Sequence, residues 1–250
     1  MTGIPDTPSP LSGYPVSAPP LPRPVFFGQH WADLTFVHWP VRPDRVAQLY
    51  PQGTRPDVFA DGLTYVGLVP FVMRRTALGA ALTLPFFGSF AETNIRLYST
   101  DDAERHGVLF RSLETARLAV VPLTRIGLGV PYTWARMRID RAGDVMTYDS
   151  VRRWPRRGLR SRLSIRIGGR VDATPLETWL TARWGAHTRK AGRTWWVPND
   201  HEPWPLRAAD IVDLEDDLLA ASGVVPAGDR LRALFSPGVH ARFGRPTPVN

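Results

Sequence analysis

Apolar and polar residues alternate most sharply in the stretch Phe86–Ser99, F-F-G-S-F-A-E-T-N-I-R-L-Y-S. From Phe90 onward a β-strand sets Glu92, Asn94, Arg96 and Tyr98 on one face and Thr93, Ile95 and Leu97 on the other. Members of such a row stand about 7 Å apart, at roughly 3.3 Å of rise per residue. An acid, an amide and a guanidinium in line are expected to look into a cavity and hydrogen-bond a small polar ligand, while Thr93, Ile95 and Leu97 pack outward. The competing expectation is that these groups pair with one another or with loops and only staple a wall, because charges are rarely buried unless paired.

The same patterns organise the rest of the chain. Trp31–Trp39 reads as a strand ended by Pro40, and Pro43-Asp44 opens a short helix that ends before Pro51. Thr64–Arg74 is a second strand, in which Pro70 calls for an edge or a bulge. Gly107–Leu113 is another, and Thr115–Arg125 is helix-compatible but short or kinked at Pro122. Tyr132–Asp140 and Val145–Arg153 form a hairpin around Ala142-Gly143, followed by an alternating strand over Leu159–Ile167.

Thr174-Pro175-Leu176-Glu177 predicts a capped helix that Gly185 ends. His187–Pro198 is a hairpin, Leu214–Ala221 a second helix, and Ala233–Phe243 the last strand. Many strands and few short helices, without βαβ alternation, predict an antiparallel-rich α+β fold in which closure into a barrel removes the edges. The expected organisation is a Pro-rich disordered or surface arm over 1–24, a single domain over 25–244 and a tail over 245–250.

Composition narrows the chemistry. There is no cysteine, hence no disulfide and no thiolate. The net charge is +8, but Lys190 is the only lysine, and the arginine bias tells nothing about specific nucleic-acid recognition. Eight arginines lie between Arg152 and Arg170, where strand alternation accounts for a solvated face and only Trp154 offers a stacking platform. No apolar run is long enough to span a bilayer, and the first residues lack the features of a secretory signal, so the expected location is cytoplasmic. The six histidines show no ligand spacing, so neither a metal nor a cofactor is expected. His38, among aromatic neighbours, is expected in the core or wall.

Six segments in order carry a resemblance: W-A-D-L-T-F-V-H-W-P-V (31–41), D-G-L-T-Y-V-G-L-V-P-F (61–71), F-A-E-T-N-I-R-L-Y (90–98), G-V-L-F-R-S-L-E-T (107–115), V-P-Y-T-W-A-R-M (130–137) and H-E-P-W-P-L (201–206). Together they resemble the YqjF-like bacterial family of unknown function, within the acetoacetate decarboxylase-like superfamily. The resemblance implies a closed antiparallel β-barrel with an internal cavity and a few short helices. It also implies that Glu92 stands where the decarboxylase has its glutamate. The decarboxylase lysine pair would fall after Pro131, where this chain has Tyr132 and Thr133, neither of which can form an imine. A Schiff-base decarboxylase is therefore not expected.

The sequence thus points to a small organic ligand, of carboxylate type, bound inside the fold. Glu92 is the candidate general acid or base; Asn94, Arg96, Tyr132 and Arg152 are the candidate ligand-binding residues. Arg152 is also open to being one more member of the solvated arginine face. The alternatives are an enzyme that uses Glu92 on a keto or enol substrate, and weak non-specific nucleic-acid binding through residues 152–170. Neither a specific nucleic acid nor a membrane is expected as a partner.

Overall fold

The computed structural model describes residues 11–25, 27–78, 82–83, 89–118, 121–122, 127 and 129–249. Parts of the Phe86–Ser99 and Thr115–Arg125 segments lie outside these residues. In chain order the elements are β1 (Phe27–Val41), α1 (Pro43–Val46), β2 (Thr54–Pro56), β3 (Thr64–Leu78), β4 (Leu82–Thr83), β5 (Phe90–Asp101), β6 (Gly107–Thr115), β7 (Tyr132–Ala142), β8 (Val145–Trp154) and β9 (Arg160–Arg170). Then follow α2 (Pro175–Thr181), β10 (Gly185–Lys190), β11 (Arg193–His201), β12 (Arg207–Asp216), α3 (Leu218–Ala221), β13 (Ala233–Phe243) and β14 (Thr247–Pro248). It is a mostly-sheet fold with a few short helices.

Hydrogen-bonded neighbours run β3, β5, β6, β7, β8, β9, β12, β13, β1, and β1 pairs in turn with β3. The β10–β11 hairpin joins β6 to β13. Pairings are antiparallel except β6–β7 and β6–β10, which are parallel. The long connection between Thr115 and Tyr132 permits the first of these, since parallel neighbours need a crossover rather than a tight turn.

Pro70 is accommodated by a bulge. The β1–β3 register slips between Ala32↔Val72 and Val37↔Leu68, so Pro70 has no β1 partner but still faces Thr93 of β5. Asp33, in this bulge at φ 52°, accepts from Arg74 at 2.8 Å.

The capped helix is present, with Thr174 and Glu177 satisfying each other's backbone donors. It ends at Thr181 rather than at Gly185: Ala182 has left the helical region, at φ −81° and ψ 77°, while its N–H still donates to the Thr178 carbonyl. The expected Leu214–Ala221 helix is corrected: Leu214 belongs to β12, and only Leu218–Ala221 is helical. The alternation of β12 is hidden by a register shift between Ile211 and Asp213.

Tyr14 and Pro15 are tied to the link between α2 and β10. Tyr14 donates to the Ala182 carbonyl at 2.6 Å, and Trp184 donates to that of Pro15 at 2.5 Å. The segment read as a tail contains β14, which pairs with Trp195 and Trp196.

The two faces of β5 meet different surroundings. Ile95 and Leu97 are fully buried in an apolar cluster with Val37, Leu68, Leu163 and Phe235. The opposite face looks towards a cavity.

Candidate functional site

Glu92, Asn94 and Arg96 all line one cavity of about 250 Å³, as the alternation of β5 requires. Register builds their surroundings. Glu92 stands opposite Phe71 of β3, Asn94 opposite Val69 and Arg96 opposite Gly67. Gly67 is a close-approach position: a Cβ there would lie 3.0 Å from the His38 ring and 3.4 Å from Arg96 Cγ.

Glu92 is 2% exposed, and Tyr132, at the start of β7, donates to its Oε2 at 2.9 Å. Burial raises the carboxyl pKa to about 8, against a small downward pull from the tyrosine hydroxyl. Glu92 is therefore largely protonated at neutral pH. Burial and the adjoining carboxyl push the Tyr132 phenol well above its ordinary value, so it is a hydrogen-bond donor and not a base.

Arg96 does not pair with Glu92. Its guanidinium donates to Tyr98 Oη and to the Leu180 carbonyl, both at 3.3 Å, and lies 5.6 Å from the Phe36 ring centroid. No carboxylate among the described residues forms a salt bridge with it. The Glu92–Arg96 pair is therefore not made, while the bonds of Arg96 to Tyr98, in the same row, and to the Leu180 carbonyl are of the kind the competing expectation named. His38 is a wall residue as expected: it is buried, and its Nε2 lies 2.6 Å from Tyr98 Oη. Burial, then the cations Arg96 and Arg183, hold it well below the ordinary histidine range, so it stays neutral.

Among the described residues Asn94 has no side-chain hydrogen-bond partner, and its buried Oδ1 is unsatisfied. Three more cavity residues carry a buried polar atom without a partner: Arg183 Nη2, Thr188 Oγ1 and Asn199 Oδ1. Such groups are rare in folded proteins because each forfeits its hydrogen bonds to water. Arg183 is otherwise fixed. Its Nε donates to the Trp179 carbonyl at 2.8 Å, its Nη1 pairs with Asp57, and its Cζ lies 3.9 Å from the Trp179 ring centroid.

Arg152 does not line this cavity, and its reading as a member of a solvated face is also corrected. It is 6% exposed and makes a forked ion pair with the fully buried Glu114, with Nε 3.1 and 3.0 Å from the two oxygens. Arg162 and Arg166 are exposed as expected, and each meets an acid: Arg162 contacts Asp213 at 3.1 Å and Asp149 at 3.4 Å, and Arg166 contacts Asp144 at 3.3 Å.

Sequence reasoning missed Arg183, Thr188, Asn199, His201 and Trp204 as cavity residues. For two of them a signal existed: Val197, Asn199 and His201 alternate along β11, across a Pro198 that was taken as the strand's end. His201 is held neutral by burial, against the pull of the Glu202 carbonyl, to which its Nδ1 donates at 2.7 Å.

A second polar chain is sealed. Ser99 Oγ lies 2.8 Å from His187 Nδ1 and Asp101 Oδ2 lies 3.0 Å from His187 Nε2, with all three residues at most 1% exposed. It ties β5 to β10 and does not line the cavity of Glu92 and Arg96. Among the described residues no cluster of three or more His, Asp or Glu could hold a metal, and no helix is long and apolar enough to cross a membrane.

Comparison with known proteins places this architecture. The model of the DUF2071 family, described as an uncharacterized conserved protein, matches residues 28–240. The chain is 26% identical over 206 residues to the uncharacterized protein YqjF of Bacillus subtilis (strain 168), covering 81% of this chain and 84% of that one. Among solved structures it is similar to acetoacetate decarboxylase from Legionella pneumophila, with TM-score 0.64, 10% identity and coverage of 100% and 98%. It is also similar to the enduracididine biosynthesis enzyme MppR complexed with pyruvate, with TM-score 0.63, 14% identity and coverage of 92% of each chain. At these identities the likeness is one of fold, which is acetoacetate decarboxylase-like.

Proposed function

The chain belongs to the DUF2071 family, and from that membership we propose that its cavity binds a small organic carboxylate on Arg96, without a Schiff-base lysine. One observation carries this reading: Arg96 lines the cavity as a guanidinium with no carboxylate partner among the described residues. Its neighbours leave the charge standing. Glu92 is held largely neutral, His201 is neutral, and the Arg183 charge is met by Asp57. A cation in a water-poor site attracts an anion strongly, and guanidinium offers a carboxylate a two-pronged fork. MppR was solved with pyruvate on a similar fold, in keeping with a ligand of this class.

We read the sheet as a closed barrel, because every strand on the path from β3 round to β1 has a partner on both sides. The cavity itself lies on the side closed by the β10–β11 hairpin, where β3, β5, β6, β10, β11, β13 and β1 pair in turn and supply most of its lining, so Arg96 and Glu92 share one interior there. The ring through β7, β8, β9 and β12 encloses the apolar cluster on the other face of β5. Lys190 lies apart: it is exposed and donates to the Gly127 carbonyl at 2.7 Å. Imine chemistry needs an uncharged amine beside the carbonyl, and Tyr132 and Thr133 supply none.

A second reading, general acid/base catalysis, rests on the Glu92–Tyr132 pair. A carboxyl with a pKa near 8 can give or take a proton at neutral pH. A ligand anchored on Arg96 would present its neighbouring atoms along the β5 row towards Glu92.

Calorimetric titration of wild type and Arg96→Met with pyruvate and acetoacetate tests the binding reading. Saturable binding lost in the variant is expected. Equal binding by both proteins, or none by wild type across small carboxylates, overturns it. Incubation with pyruvate and cyanoborohydride is expected to leave the intact mass unchanged; a stoichiometric adduct on Lys190 would restore a Schiff-base mechanism.

A further inference from the structure

Part of the cavity lining is aromatic, and its arrangement is specific. Trp31 and Trp204 lie with planes 8° apart and centroids 6.1 Å apart, Trp31 meets Phe71 edge-on at 6.4 Å, and Phe90 precedes Glu92 by two residues on the same strand face. Phe27 and Phe243 stack at 4.3 Å on the paired strands β1 and β13. These rings extend from Trp204, whose neighbour Phe36 underlies Arg96, to Phe71, which faces Glu92 in register. A cavity made only to hold a two- or three-carbon acid would need no such walls.

Resting on the reading of Arg96 above, we infer that the ligand is a carboxylic acid bearing a single aromatic ring, its carboxylate on Arg96 and its ring among Trp31, Phe71, Phe90 and Trp204. Size agrees. An apolar cavity of about 150 Å³ takes up one benzene ring. The 250 Å³ here leaves room for a short acid chain beside the ring and little for a second ring. Shape agrees too, because aromatic side chains present flat faces and polarised edges that a planar ring matches and a puckered one does not. Asn94, Thr188 and Asn199 line the same cavity with unpartnered polar atoms, open to a polar substituent of the acid. Such a ligand brings a compact apolar body and one negative charge into a cavity that offers both partners.

Equilibrium titration of the full chain with phenylacetate, cyclohexylacetate, acetate and phenylacetamide separates ring, aromaticity and charge. Phenylacetate is expected to bind at least about tenfold tighter than acetate and about threefold tighter than cyclohexylacetate, and phenylacetamide at least about tenfold weaker than phenylacetate. Trp204→Leu is expected to reduce phenylacetate affinity several-fold more than acetate affinity; Phe90→Leu provides the same reading if Trp204→Leu fails to fold. Acetate or cyclohexylacetate matching phenylacetate, with binding still lost in Arg96→Met, overturns the aromatic ligand and leaves the carboxylate site standing. No binding by any carboxylate, or equal binding by Arg96→Met, overturns both.

Discussion

Two glutamate and arginine combinations, Glu114 with Arg152 in the buried interior and Glu92 with the half-buried Arg96 on the cavity, are built to opposite ends. Glu114 and Arg152, on β6 and β8, close on each other through a fork, and neither is left with an unpartnered polar atom. Glu92 and Arg96, two strand steps apart on one face of β5, do not meet at all. The first combination keeps its charges and spends them on each other. In the second, Glu92 gives up its charge to burial and Arg96 keeps its own without a counter-ion. A closed pair is scaffold; an open cation beside a neutral acid in a cavity is a place for an anion.

The largest expected effect falls on the closed pair. Arg152→Met strands the Glu114 carboxylate and is expected to lower stability by about 3–5 kcal/mol. Urea unfolding measures it, and a loss below about 1 kcal/mol would show that water reaches the pair.

Glu92 is expected to make stability fall with pH. Below about pH 4.5 both folded and unfolded chains hold this proton; between there and about pH 8 the folded chain holds it and the unfolded chain has released it. The unfolded state then binds fewer protons, so the Glu92 contribution is full below pH 4.5 and is lost as pH rises through 8. At about 1.4 kcal/mol per pKa unit this amounts to a few kcal/mol. Subtracting the pH–stability curve of Glu92→Gln from that of wild type isolates it. A flat difference would mean that Glu92 ionises in the fold as it does in water.

Arg96→Met is expected to weaken carboxylate binding at least tenfold, about 1.4 kcal/mol, while stability stays within about 1 kcal/mol of wild type. Calorimetry and urea unfolding together separate the two. A stability loss as large as that of Arg152→Met would make Arg96 a second scaffold residue. Smallest of all, Arg162→Gln with Arg166→Gln is expected to shift stability by about 0.5 kcal/mol or less, since both ion pairs are solvent-exposed.

How far the site could be read from sequence follows the same division. Period-2 alternation carries its information within one strand, so Glu92, Asn94 and Arg96 were legible as a row, and so was Leu163, Ile165 and Ile167 against the exposed arginines of β9. What alternation cannot carry is the partner. Arg152 belongs to the arginine run in sequence, yet the meeting of β8 with Glu114 of β6 is a tertiary fact. Arg183 is out of reach for the same reason, because Asp57 and Trp179 hold it from distant segments. The strand β12 was lost to a bulge and to its acids, of which Asp213 answers Arg162.

The central claim is that Glu92 is neutral beside an uncompensated Arg96, and it can be measured at the carboxyl itself. Carbon-13 labelling of the six glutamate side chains, with Glu92 assigned by its absence from Glu92→Gln, gives its titration by NMR. The account predicts a midpoint near 8, raised further by a carboxylate bound on Arg96, because a second negative charge there opposes ionisation. A midpoint near 4.5 would contradict it: Glu92 would then be a carboxylate at neutral pH, available to Arg96, and the cavity would hold a closed pair where the account requires an open site.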